Sequence, residues 1–220
     1  MNKLHLKVKD PGSALTHFIA AITAAISAAP LLIKASNGTN RSYLGAFAVF
    51  IFSMICLYSA STIYHTFDIS EKVNAILRKI DHAMIFVLIA GSYTPICLIA
   101  LPRSVGIPLL TTVWIITIIG TIFKICWINC PHWLSSVMYI GMGWLCVLAF
   151  SSIVKSLSHN AFLWLLIGGI IYTVGGIIYA LKLPLFKRFN WKNFGNHELF
   201  HIFVMLGSTC HFIMVYGYLA

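Results

Sequence analysis

His197-Glu198-Leu199-Phe200-His201 opens an apolar run that continues to Leu219. Crossing a bilayer takes about 20 apolar residues, so this run is long enough to span. In hydrocarbon only helices and closed barrels satisfy every backbone N–H and C=O, and an unbroken run of this length reads as a helix. Its start carries two imidazoles one helical turn apart. Titratable side chains at membrane depth are costly, and by default they mark a functional site.

The rest of the chain is of the same kind. Of its 220 residues 60% are hydrophobic and only 9% charged, and the mean hydropathy is +0.90. Soluble domains carry roughly 25% charged residues. The expected fold is an all-α integral membrane protein, one seven-helix transmembrane bundle over residues 1–220, with spans at about 14–33, 44–66, 81–101, 107–126, 134–154, 161–181 and 197–219. The breakers Asn37-Gly38, Pro102, Pro131 and Pro184 fall in the connections. A basic start followed by Ala14–Ala29 resembles a signal peptide. The apolar run continues through Leu31, Leu32 and Ile33, however, so a retained first helix is expected.

The formal charge of +10 does not indicate nucleic acid, because the basic residues sit in short loops between apolar runs. One side of the membrane collects Lys3, Lys7, Lys9, Lys72, Arg78, Lys79, Lys124, Lys182, Lys187, Arg188 and Lys192. The other has Lys34, Arg41, Arg103 and Lys155. Short loops rich in Lys and Arg stay inside. This places the N-terminus in the cytoplasm, the C-terminus outside, and the protein in the plasma membrane. The mixed basic and aromatic stretch Lys182–Phe194 is expected to lie on the cytoplasmic leaflet, with its cations near anionic lipid. The six cysteines have no disulfide-framework spacing and read as small buried hydrophobes. Cys126, Cys130 and His132 leave a second metal site conceivable, without an apparent fourth ligand.

Topology assembles a candidate site. His65 closes the second span, Asp81 opens the third, and His197 and His201 open the seventh, all at the cytoplasmic end. His197 and His201 are i, i+4 neighbours on one helix face, as are Ser61 and His65. Neutral imidazole suits zinc, and a catalytic-type zinc site uses three protein ligands and leaves one position for water. Metal lowers the pKa of its water towards about 7. Asp81 is then the expected general base and Ser61 the residue that orients the water. The alternative is that each histidine is a hydrogen-bonded bundle residue; three histidines and an aspartate at matched depth favour the metal. His17 and His82 lie at the same end and read as interfacial or packing residues, with support of the ligands as the alternative. His211 lies roughly 21 Å along the helix from His197, too far to share an ion, and a helix–helix hydrogen bond is expected of it. Ser92, with Gly91, Thr94 and Pro95, reads either as lining a cavity and kinking the third helix or as packing alone. His5, His132 and His159 read as loop residues.

Ser61-x-x-x-His65, Asp81-His82-Ala83 followed by Gly91-Ser92-Tyr93-Thr94-Pro95, and His197-x-x-x-His201 together resemble the hemolysin III family, the bacterial branch of the progestin and adipoQ receptor superfamily. Thr16-His17 fits as well, and the resemblance covers essentially the whole chain. It implies seven helices around a zinc ion in the cytoplasmic half of the membrane, with His65, His197 and His201 as ligands and Asp81 and Ser61 holding the zinc water. It also implies hydrolysis of lipid amides, the chemistry associated with adiponectin receptors and alkaline ceramidases, and a role in membrane lipid homeostasis. The short segment before the first span leaves no platform for a large signalling partner, so a hormone-receptor role is not expected.

Three functions compete. The first is a zinc-dependent hydrolase of a lipid acyl bond, with membrane lipid as its substrate. The second is a non-enzymatic regulator or cytolysin in which zinc staples helix ends together. The third is an intramembrane metalloprotease, since His197-Glu198-x-x-His201 matches the HExxH pattern with Glu198 as base.

Overall fold

A computed structural model of the chain describes residues 8–181 and 194–220. Helices account for the regular structure, with no strand among the described residues. Seven are long and apolar enough to cross a membrane: Pro11–Asn37, Arg41–Thr66, Glu71–Ala100, Arg103–Cys126, His132–Ser156, His159–Leu181 and Asn196–Tyr218. The stretch Lys182–Asn193, Pro184 and His5 lie outside the described residues, so the expectations for them are not addressed.

Local chemistry sets most of the boundaries. Pro11 stands in the first turn of the first span, where its missing N–H has no helical partner to lose. Pro102 and Pro131 immediately precede the fourth and fifth. The third span begins ten residues before the expected 81. Ser70 caps it, its Oγ accepting from Val73 N at 3.3 Å, and Glu71 in the first turn suits the positive end of the helix dipole. Hydropathy registers only the part that enters hydrocarbon, whereas the charged stretch Glu71–Ile80 is helical all the same. Asp81 therefore lies about three turns inside a helix and does not open it. After Pro95 the third span widens into a π turn at Ile96–Ala100. The fifth span is helical to Gly143, passes through a 3₁₀ stretch at Trp144–Ala149 and resumes at Phe150.

Each span packs on the next, and the seventh returns to the first. Phe47, Phe50, Phe86, Val113 and Met214 are wholly buried between them. Gly91 permits a close approach of the second and third spans: a Cβ there would meet Ser53 Oγ at 2.1 Å and Ser53 Cβ at 2.6 Å. The outer faces remain apolar, with Ile26, Ile119, Leu148 and Leu181 exposed. In water such a surface would drive association; against lipid it is the expected face.

Two sets of cross-links fix the ends of the bundle. At one end Lys34 Nζ donates to Tyr216 O at 2.5 Å and Asn40 Nδ2 to Leu219 O at 2.9 Å. At the other, Asp10 N donates to His65 O at 2.9 Å and Lys9 N to Thr66 O at 3.2 Å, and Ser13 Oγ donates to Glu198 Oε1 at 2.5 Å. The start of the first span, the end of the second and the start of the seventh thus meet at one end, opposite Ala220.

Candidate metal centre

That meeting point gathers the histidines. One ring nitrogen from each of His65, His197 and His201 lies within 4.8 Å of the other two, the one such group among the described residues. The Nε2 atoms of His65 and His197 are 3.1 Å apart. His65 and His201 are buried and His197 nearly so. Three imidazoles this close to one another could hold one metal ion.

The chain also fixes which nitrogens are available. His65 Nδ1 lies 3.0 Å from Asp10 Oδ2. Asp10 stands at the position that usually caps a helix, yet its side chain caps nothing; the carboxylate turns to the imidazole instead. An Nδ1–H donated there leaves Nε2 as the ligating nitrogen, the carboxylate–histidine arrangement that supports metal ligands. His201 Nδ1 lies 3.2 Å from Thr16 Oγ1. The threonine hydroxyl gives its own proton to Ser13 O at 2.9 Å, so its oxygen is left to accept from His201. Both supports come from the first span.

Asp10 was not singled out in the sequence, although it is one of five acidic residues and directly precedes a helix-starting proline. His17, expected as a packing or interfacial residue, is buried and stacks on His201 with ring centroids 3.6 Å apart and planes 10° apart. Neither of its ring nitrogens has a hydrogen-bond partner, and neither does Ser61 Oγ. Buried polar atoms without partners are rare and mark places where something polar binds.

Ser61 and Asp81 line, with His17, His82, His197 and His201, one wall of a cavity of about 190 Å³, partly open to the outside of the bundle. Its remaining walls are mostly apolar, including Leu88, Val147, Phe162 and Val204. Ser92 lines it too. Asp81 Oδ2 stands 3.4 Å from His82 Nδ1, which lies nearer to Arg78 O at 2.9 Å.

Glu198 is differently placed. Its Oε2 accepts from Gly195 N at 2.8 Å, closing the first turn of the seventh span, and its Oε1 accepts from Ser13. Both oxygens are occupied in holding helix ends.

Other expectations need correction. His132 is the first residue of the fifth span, with Nδ1 2.8 Å from Tyr179 Oη in the sixth. His159 likewise begins a helix. Both sit at helix starts, where apolar periodicity gives no signal. His211 packs edge-on against Tyr172 and over Gly168, both in the sixth span. Cys126 is exposed while Cys130 is buried, so the i, i+4 pair does not converge on a metal with His132. All six cysteines are free thiols.

Comparison with known proteins agrees with this architecture. Residues 6–212 match the family described as Haemolysin-III related. The chain is 38% identical to Hemolysin-3 of Bacillus cereus, over 99% of this chain and 95% of that protein. It is 36% identical to the Hemolysin-3 homolog of Bacillus subtilis (strain 168), over 96% and 94% respectively. It is also 24% identical to the Progestin and adipoQ receptor-like protein 1 of Caenorhabditis elegans, over 92% of this chain and 50% of that one.

Proposed function

Because the chain belongs to the Haemolysin-III related family, we propose that it is a plasma-membrane protein in which His65, His197 and His201 hold a zinc ion in the cytoplasmic half of the bilayer. We propose further that it hydrolyses an acyl bond, amide or ester, of a membrane lipid and so serves lipid homeostasis. The observation that carries this reading is the convergence of three imidazoles beside a mostly apolar cavity whose polar wall holds Ser61 and Asp81. A structural ion would need no such cavity.

Bound zinc supplies Lewis acidity and a water acidified towards neutral pH. The remaining work falls to the chain. The apolar walls take up the acyl tail and exclude water from the carbonyl. Asp81, buried and lining the cavity, accepts a proton and returns it to the leaving group. The unpartnered Ser61 hydroxyl orients the attacking oxygen. Asp10 and Thr16 keep Nε2 of His65 and His201 turned inward. Glu198, with both oxygens engaged, is a helix-end residue and not the base, which weighs against the protease reading.

The test uses purified protein in detergent. It should carry about one zinc per chain, and His65→Ala, His197→Ala or His201→Ala should each remove most of it, since three protein ligands leave none to spare. Lipids profiled before and after incubation should show a hydrolysed acyl bond. At matched zinc content Asp81→Asn should lower that turnover by roughly 10²–10⁴, the usual weight of general acid–base catalysis, with Glu198→Gln mild. Full zinc in all three histidine variants would sink the site. An active Asp81→Asn beside a dead Glu198→Gln would hand the base role to Glu198. Zinc whose removal lowers stability, in a wild type that turns over no lipid, would make the ion a staple.

A further inference from the structure

A second polar cluster lies between the end of the fourth span and the start of the fifth. Lys124 is only 1% exposed, and lysines are almost never so buried unless paired with an acid. No carboxylate pairs with it among the described residues. Its Nζ lies instead 3.0 Å from Cys130 Sγ and 2.5 Å from Ser135 Oγ, and Sγ and Oγ are 3.2 Å apart. All three side chains are buried.

The chain builds this triangle locally. The fourth span closes with Trp127 N donating to Phe123 O at 2.8 Å, and a turn follows in which Cys130 N donates to Trp127 O at 3.3 Å. A residue before proline favours extended backbone, and Cys130 Sγ meets the helix end at Lys124 Nζ. A lysine in the last turn of a helix ordinarily caps its carbonyls or extends its amine to water. Lys124 does neither. A link between helix end and loop explains the contact with Ser135. It does not explain a thiol, a weak hydrogen-bond acceptor, against an amine with no anion.

We propose that Lys124 and Cys130 form an oxygen-dependent covalent switch, an N–O–S bridge between Nζ and Sγ. The oxidant is dioxygen, which enters the apolar interior of a membrane protein readily. The ammonium first gives up a proton to water. One S–H bond, one N–H bond and the O–O bond break; one S–O and one O–N bond form. The second oxygen leaves as water with the two hydrogens. Dioxygen takes four electrons, two from sulfur and two from nitrogen. Complete reversal returns four electrons, two at the S–O bond and two at the O–N bond, from two equivalents of a dithiol, and releases the bridging oxygen as water. The bridge ties the end of the fourth span to the loop and withdraws the amine from Ser135. Ser135 lines the cavity with Ser136 and Tyr139, and Tyr139 Oη donates to His82 O at 3.1 Å. The oxidised form therefore has a different cavity wall near Asp81. The inference does not depend on the proposed hydrolysis.

The test is peptide mapping of full-length protein purified anaerobically and then exposed to air-saturated buffer. The peptide spanning Lys124 and Cys130 should gain about 14 Da, one oxygen less two hydrogens, become unreactive to alkylation at Cys130, and revert with dithiothreitol. Lys124→Arg keeps charge and reach but removes the reacting amine, so it should abolish the gain and leave Cys130 alkylatable. Cys126, exposed and free, should show no such product. A wild-type peptide that stays at its reduced mass, or gains only whole oxygens, would overturn the proposal, as would an unchanged gain in Lys124→Arg.

Discussion

Asp10 shows how one side chain can serve a site that lies far from it in sequence. A residue before Pro11 would ordinarily donate its carboxylate to the first helical N–H groups, but here the carboxylate is 3.0 Å from His65 Nδ1. Supporting residues of this kind typically change metal affinity by 10–100-fold. Asp10 is 45% exposed on its side chain, so water weakens the contact and the lower end applies. Asp10→Ala should reduce zinc affinity about 10-fold, measured by competition with a chelator, and Asp10→Asn by less, since an acceptor oxygen remains. Unchanged affinity in Asp10→Ala would remove Asp10 from the site. The histidines were legible in the sequence because i, i+4 spacing in an apolar run is unusual. Asp10 and Thr16 were not, because their roles depend on how the first span packs across the ends of the second and seventh, and no local pattern encodes that.

Among the elements, the third helix does the most to connect packing with the site. Hydropathy located its membrane part but not its start, because Glu71–Ile80 is helical through capping and propensity and carries charges that a hydropathy window rejects. The 3₁₀ break at Trp144–Ala149 was equally invisible, since the residues there are as apolar as their neighbours. The seven-fold count and the order of the spans followed from length and apolarity alone. Gly91 decides how closely the third helix approaches the second, and these two carry Asp81 and His65. A methyl at Gly91 would lie 2.6 Å from Ser53 Cβ, which no rotamer of Ser53 can relieve. Gly91→Ala should therefore cost about 1–3 kcal/mol, the usual range for overpacking, seen as faster thermal inactivation in detergent. Adding Ser53→Gly removes the obstructing Cβ and should restore most of that loss, less about 0.5–1 kcal/mol for a glycine within a helix. Equal stability of Gly91→Ala and wild type would show that the helices are not in this contact.

For the molecule as a whole, the geometry reduces the question of sidedness to a single measurement. The histidines, Asp10 and the start of the seventh span share one end of the bundle, and the C-terminal residue packs at the other, where Asn40 reaches Leu219 O. Whichever side Ala220 occupies, the candidate metal centre belongs to the opposite leaflet. The basic residues supply the direction. Lys9, Lys72, Arg78, Lys79 and Lys124 belong to the histidine end by their place in the chain, while Lys34, Arg41, Arg103 and Lys155 belong to the other. Lys and Arg in short loops favour the cytoplasm, so a periplasm-active reporter fused after Ala220 should be active and one inserted near Lys187 silent, with a cytoplasm-active reporter giving the reverse. The opposite result would place the three histidines in the outer leaflet, where a substrate lipid would come from the outer face and the cytoplasmic assignment would be wrong. Reporter signals that put Lys187 and Ala220 on the same side would contradict a seventh helix that crosses the membrane at all.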